Sequence, residues 1–404
     1  MGDTQGSATR RWSIGLIALL GLVLAGCASD AELDTFQDKG ETAREISNLA
    51  IPVFAVAGVI LVLICGAVVY IGLRNRVKDY DDDEFPEQQH GHNALEIGWT
   101  MGPAAIMAVI AVFTIATHVT INETEANAIE IAVEGDSTMW EPKVVVVGQQ
   151  WWWEFRYYLD QDISREDLGD ARNLPPADIV TSGQMVIPVD EEVELLITSR
   201  DVIHSFWIPA LNGKRDAAPN RVHDWKLSAD DPGVYFGQCT EFCGLSHSRM
   251  RMQVVAMEDA DFQTWIDEQM TAAPPPTDEA AVRGLEAFTT NCASCHRVDG
   301  VTPDVVVANQ VSGVAPDLSH FASRTTFAGG LFHLYDGEGN LNRDDLEAWL
   351  RDPNAVKDNA ATEEIPRGMP NLQLPERTID DLVAYLATLG PLPSAEIIEQ
   401  SQVD

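Results

Sequence analysis

The chain has 404 residues, enough for two or three domains. Its 26 Lys and Arg against 63 Asp and Glu give a formal net charge of −37. That excess argues against nucleic-acid binding through a basic face; it suits steering of a basic partner or, equally, solubility and life in a salty habitat.

Residues 1–27 read as an export signal. Arg10 and Arg11 precede an apolar run from Ile14 to Leu24 that is too short to span a bilayer comfortably. The run ends in Leu24-Ala25-Gly26-Cys27, which resembles a bacterial lipoprotein cleavage site and makes Cys27 a candidate for lipidation. An ordinary signal with Cys27 unmodified is the alternative. Residues 28–118 are expected to form a transmembrane hairpin, with spans over 49–73 and 97–118. Arg74, Arg76 and Lys78 follow the first span and place its end in the cytoplasm, so both termini lie outside. Asp81-Asp-Asp-Glu84 in the connecting loop reads as a solvated charge run, and Cys65 as an inert thiol in an apolar helix. Glu96, in Leu95-Glu96-Ile-Gly-Trp99-Thr100, stands at the cytoplasmic edge of the second span. There it is either a carboxylate at a helix start or a point of proton uptake.

Residues 119–270 alternate as strands do: Ile129–Val133, Lys143–Val147, Gln184–Pro188 and Val193–Ile197 are β-branched or alternating segments between turn residues. Short strands at this spacing predict a β-sandwich or barrel. Trp151-Trp152-Trp153 falls in such a segment, as core packing or as an exposed indole near a site. Asp160–Ser182 reads as a polar surface loop. Cys239-Thr-Glu241-Phe-Cys243-Gly-Leu-Ser-His247-Ser-Arg-Met250 holds two thiols, an imidazole and a thioether in twelve residues, with His204 upstream in Asp201-Val-Ile-His204. Soft sulfur with imidazole favours copper, and a second cysteine four residues from the first allows two thiolates to bridge two ions. A disulfide or structural zinc would use the cysteines too, but neither uses Met250.

Thr271–Thr277 is a Pro-rich linker, and Ala281–Phe288 an amphipathic helix. Cys292-Ala-Ser-Cys295-His296 follows and has the Cys-x-x-Cys-His spacing of covalent c-type haem attachment. A thioredoxin-like redox pair is the alternative, but no matching αβ pattern surrounds it. Met369, in Arg367-Gly-Met369-Pro370, is the favoured sixth iron ligand ahead of His320 and His333. Residues 278–390 are expected to form the haem domain, with helices near Asp344–Leu350 and Ile379–Leu389, and 391–404 a disordered tail.

His204 with Cys239-x-Glu241-x-Cys243-x3-His247-x2-Met250 resembles the binuclear copper A site of cytochrome c oxidase subunit II, and the fused haem domain resembles that of the caa3-type oxidases. The resemblance covers about residues 49–390. It implies a multidomain chain: a two-helix transmembrane hairpin, an all-β cupredoxin-like Greek-key barrel and an all-α class I cytochrome c domain. It implies that His204, Cys239, Glu241 (through its carbonyl), Cys243, His247 and Met250 hold two copper ions. Cys292, Cys295, His296 and Met369 then hold one haem c. Trp151 matches the tryptophan where electrons enter copper, Glu96 a glutamate at the mouth of a proton channel, and the Glu241 carboxylate a ligand to magnesium or manganese at the subunit I interface. Lys214–Arg221 matches the stretch facing subunit I. The implied partners are subunits I and III, a donor such as a cytochrome c or a bc1-type complex, and membrane lipid, with no nucleic acid. The implied location is a bacterial cell membrane, with the metal domains outside. The implied function is electron transfer from haem c through copper A to haem a of subunit I, in a proton-pumping oxidase that reduces oxygen to water. A copper A nitric oxide reductase, a quinol oxidase subunit and a copper-binding lipoprotein are the other readings.

Overall fold

The computed structural model describes residues 31–76, 90–123, 128–133, 136–159, 161–302, 315–358 and 367–402. The signal segment with Arg10, Arg11 and Cys27, and Lys78 with the acidic run Asp81–Glu84, lie outside the described residues.

Two helices, α1 (Glu41–Arg74) and α2 (Asn93–Asn122), are long and apolar enough to cross a membrane. Each extends beyond its expected span, α1 by eight residues at its start. The added turn is polar and lies against the β-domain: Thr42, Ala43 and Ser47 are buried, and Arg44 pairs with Asp230. His92 caps α2 by accepting from Leu95 N.

The strands between the hairpin and the haem domain form two main sheets. One has the order β10-β7-β3-β4-β5, from β10 (His223–Leu227), β7 (Val193–Ser199), β3 (Lys143–Gln149), β4 (Trp152–Tyr157) and β5 (Ile179–Ser182). The other has the order β11-β12-β6, from β11 (Gly233–Gln238), β12 (Arg251–Met257) and β6 (Gln184–Pro188). Pairs β3–β7 and β12–β6 are parallel, so the chain crosses between the sheets rather than meandering. Small pairs β1–β2 (Ile129–Val133, Asp136–Trp140) and β8–β9 (His204–Trp207, Lys214–Ala217) flank them. Inward residues of both sheets, among them Val144, Val146, Trp153, Phe155, Ile187, Ile197 and Val254, share one core. Helix α3 (Asp259–Met270) closes an end, with Phe262 stacked on Trp140.

Val144 to Val147 are all fully buried, although a strand with one solvated face should alternate. Segment 161–178 is the reason. It is not a mere surface loop: Ile163 and Leu168 pack on Val145, Val147 and Leu196, covering the outer face of the large sheet.

In the haem domain α4 (Glu279–Asn291) crosses α7 (Glu376–Leu386) at Gly284, where a Cβ would collide with the Asp381 carbonyl oxygen. Arg283 clamps Asp381 bidentately at 2.8 and 3.1 Å beside the crossing. Short pair β13–β14 (Thr326–Phe327, Phe332–His333) and helices α5 (Arg343–Arg351) and α6 (Pro353–Val356) complete the domain around Phe288, Leu346 and Leu382. The expected disordered tail is instead helical over α8 (Ala395–Gln400). Ser394 caps it, Ile398 is buried in the haem-domain core, and Gln402 donates to the Tyr335 carbonyl at 3.0 Å.

Candidate metal centre and haem cavity

The β11–β12 hairpin carries the segment from Cys239 to Met250 in its loop. Cys239 N donates to Met250 O at 2.9 Å and closes the loop, while Thr240 N donates to Ser205 O at 3.0 Å and ties it to β8. β8 begins with His204, so the upstream imidazole arrives at the sulfurs from the neighbouring strand pair.

The Sγ atoms of Cys239 and Cys243 lie 3.8 Å apart, and both cysteines are free. A disulfide sits at about 2.05 Å, so the pair is not bonded. Two sulfurs at this spacing both reach an ion on either side of the line joining them, with metal–sulfur bonds of roughly 2.3 Å. His204 Nδ1 is 3.8 Å from Cys239 Sγ, His247 Nδ1 is 3.6 Å from Cys243 Sγ, and Met250 Sδ is 3.9 Å from Cys243 Sγ. The Glu241 carbonyl oxygen is 3.4 Å from Cys239 Sγ, while its carboxylate faces solvent. Thiols, imidazoles and a thioether therefore converge, as soft copper sites require.

The electrostatics favour a metal-ready pair. Hydrogen bonding from the Cys243 thiol, then contact with His204, holds Cys239 down to about 4 despite burial. Cys243 is pushed up by Cys239 beside it and by burial. Burial lowers the His204 pKa, but Asp201 and Cys239 outweigh it and raise the net value.

Asp201 orients that imidazole: its Oδ1 is 2.9 Å from His204 Nε2, leaving Nδ1 toward the sulfurs. Its other oxygen accepts from Gln150 N at 2.8 Å and Arg367 Nη1 at 2.9 Å. Gly148 is the backing surface: a Cβ there would stand 2.9 Å from the His204 ring and 3.2 Å from Trp153. Trp151 is 5% exposed, buried rather than exposed, and its Nε1–H donates to the Cys243 carbonyl at 3.1 Å. Gln150 Nε2 donates to the same carbonyl at 2.6 Å.

A cavity of about 730 Å³ opens beside Trp151. Cys292, Cys295, His296 and Met369 line it with Phe288, Phe327, Leu382 and Leu386; Gln149, Trp151, Trp152, Arg200 and Asp201 of the copper domain form its opposite wall. His296 fits an iron ligand. Its Nδ1 lies 2.8 Å from the Pro316 carbonyl, which fixes the tautomer with Nε2 as the ligating nitrogen, and burial lowers its pKa. His320 does not line the cavity and instead meets the Thr271 carbonyl at 3.0 Å; His333 is likewise absent from its walls. Glu96 stands in the first turn of α2. Lys214 and Arg215 on β9 lie over the rings of Trp207 and Trp225.

Family comparisons agree with this division. The profile of "Cytochrome C oxidase subunit II, periplasmic domain" matches residues 143–257, that of its transmembrane domain 30–117, and that of "Cytochrome c" 281–390. "Cytochrome c oxidase subunit 2" of Alkalihalophilus pseudofirmus is 32% identical over 376 residues, covering 92% of this chain and 95% of the relative. The chain belongs to the cytochrome c oxidase subunit II family. The Bacillus sp. strain PS3 subunit 2 is likewise 32% identical, over 93% of this chain and 96% of its own. Among solved structures, the periplasmic domain of subunit II from Bradyrhizobium japonicum is 30% identical, covers 32% of this chain and 93% of its own, and gives a TM-score of 0.26. With copper and cytochrome c domains on one chain, this subunit II is of the caa3 type and is a membrane-bound part of the oxidase complex, working with subunit I. Copper A and haem c are the groups its two domains imply.

Sequence reasoning missed several residues around the site. Asp201 and Arg367 lie three and two residues before His204 and Met369, and their charges beside ligand candidates were the available signal. Gly148 and Lys357 had no local signal, because their partners lie far along the chain.

Proposed function

We propose that this subunit II carries electrons from its own haem c through copper A toward haem a of subunit I, in an oxidase that reduces oxygen to water and pumps protons. One observation supports the path above others: Trp151 forms a wall of the haem cavity, and its indole also hydrogen-bonds the carbonyl of Cys243 at 3.1 Å. A single side chain therefore bridges the two sites.

In this reading His204, Cys239, the Glu241 carbonyl, Cys243, His247 and Met250 hold the copper pair. Cys292 and Cys295 anchor the haem, with His296 and Met369 on the iron. When bound, the two groups supply one-electron chemistry; the chain supplies rigid placement and exclusion of water. The loop tip presents Phe242 and Leu245, 77% and 65% exposed, as an apolar face for subunit I on the exit side. The Glu241 carboxylate beside it is the candidate ligand to magnesium or manganese there, as a hard oxygen donor. Glu96 is the candidate for proton uptake, and Cys27 for lipidation. In this reading both termini and the metal domains lie outside the bacterial membrane, open to subunit III and to a donor such as a cytochrome c or a bc1-type complex.

The test is Trp151→Leu in the purified, haem- and copper-loaded complex, followed by optical and EPR spectroscopy. The expected result is an intact mixed-valence two-copper signal and low-spin haem spectrum, with haem-to-copper transfer slowed at least tenfold. An unchanged rate would remove Trp151 from the path. A type 1 copper signal, or none, in the unaltered complex would remove the copper A assignment.

A further inference from the structure

The haem domain reaches across to the copper domain through two side chains that the copper and haem ligands do not require. Lys357, just after α6, is 5% exposed, and its described hydrogen-bond partners are both main-chain carbonyls: Trp151 O at 2.8 Å and Ala328 O at 2.6 Å. Burying an ammonium is costly, and burial, then Arg249 nearby, push Lys357 down to about 7 against the opposing pull of Cys243. An uncharged amine still carries two hydrogens, one for each carbonyl. The chain is shaped to receive it: Gly329 has φ +73°, and a Cβ there would stand 2.5 Å from Nζ and 2.6 Å from Trp151 O. The second side chain is Arg367, two residues before Met369, whose Nη1 meets Asp201 Oδ2 at 2.9 Å.

Each contact ends one residue short of the copper cluster. Lys357 holds Trp151, which bonds the carbonyl of Cys243. Arg367 holds Asp201, which bonds His204. Other ties between the domains surround them, among them Arg249 Nη1 to Val356 O at 3.0 Å and Thr325 Oγ1 to Gln253 Oε1 at 2.6 Å.

We propose that Lys357 and Arg367 are positioning residues for internal electron transfer, latching the haem domain onto Trp151 and Asp201, each of which hydrogen-bonds a copper-ligand residue. The inference rests on the reading that haem c reduces copper A. A fused domain on a Pro-rich linker is otherwise free to undock, because interfaces of this kind move by default. Lys357 is buried beyond the reach of salt, so a docked haem domain transfers electrons at a rate that depends little on ionic strength.

The experiment uses the full chain in its assembled, haem- and copper-loaded complex. After a reducing flash, oxidation of the haem by copper is timed at low and high salt in the unaltered complex and in Lys357→Met, Arg367→Leu and Arg367→Lys. Copper EPR and the haem midpoint potential are recorded for each. The expected rate in the unaltered complex is the same at both salts. Lys357→Met and Arg367→Leu each slow transfer about tenfold or more with EPR and midpoint unchanged, and Arg367→Lys recovers most of the loss. An unaltered rate in the Lys357→Met, Arg367→Leu double variant overturns the latch. So does a changed copper signal in Lys357→Met, which would make the lysine a support of the copper loop. If both centres are present but the unaltered complex shows no haem-to-copper transfer at all, the electron-path reading itself fails, and the latch with it.

Discussion

At the scale of single residues, the sheet behind the copper site turns on a buried ion cluster. Glu154 Oε1 lies 2.8 Å from Arg156 Nη1 and 2.6 Å from Arg200 Nη2, and all three side chains are at most 8% exposed. The arginines also reach out, Arg156 to the Pro175 carbonyl at 2.8 Å and Arg200 to the Ala171 carbonyl at 2.9 Å. The cluster thereby fastens segment 161–178 to β4 and fixes the residue next to Asp201. Burial raises the Glu154 pKa, but the two guanidiniums outweigh it and bring it to about 2 from an ordinary 4.5. A depressed carboxylate stabilises the fold fully above its unfolded value and loses that contribution as pH falls from 4.5 through 2. Removing the anion leaves two buried cations uncompensated, so Glu154→Ala should cost about 3–5 kcal/mol at neutral pH. Urea unfolding of the full chain in detergent, followed by tryptophan fluorescence, measures it. Part of the gap between variant and parent should close as the pH is lowered toward 2, and equal midpoints at neutral pH would show that the cluster contributes nothing.

At the scale of elements, legibility followed periodicity. The alternating segments around 129–133, 143–147, 184–188 and 193–197 are strands in the structure, because a half-buried pleat imposes period two and turn residues bound it. The multidomain class followed from them together with the apolar helices and the Cys-x-x-Cys-His segment. Compact motifs also carried the donor set, since Cys239, Cys243, His247 and Met250 sit in one loop where chain distance and spatial distance agree. What was not legible depends on long-range burial. Segment 161–178 is polar in composition, yet its few apolar residues, Ile163 and Leu168, face the sheet. The polarity of the tail predicts disorder, but Ser394 caps a short helix and one isoleucine, Ile398, docks it. The covering role of the insertion is testable. Leu168 is 1% exposed over Val145 and Val147, and Leu168→Ala should destabilise the copper domain by about 2–5 kcal/mol through lost transfer energy and the cavity left behind. Thermal unfolding of the full chain reads this, with the haem spectrum as an internal control. A loss below about 0.5 kcal/mol would return the segment to the status of a surface loop.

At the scale of the whole molecule, two kinds of electrostatics must be kept apart. Contacts between the haem and copper domains, such as Lys357 on the Trp151 carbonyl and Arg367 on Asp201, are short-range and specific, whereas the net charge of −37 is spread over the whole chain. Only the spread charge acts at a distance. A field of one sign accelerates encounter with a partner of opposite sign, and its reach contracts with salt: the Debye length is about 30 Å at ~0.01 M and about 8 Å at ~0.15 M. If the acidity serves docking, oxidation of a soluble basic cytochrome c by the complex should be fast at low ionic strength. Its second-order rate constant should fall at least tenfold across that range, while a neutral small-molecule reductant shows no such fall. Stopped-flow reduction of the haem at several donor concentrations separates this bimolecular step from the internal one. A flat salt profile with the basic donor would assign the acidity to solubility or a saline habitat instead. The donor would then have to recognise the haem domain through short-range contacts alone.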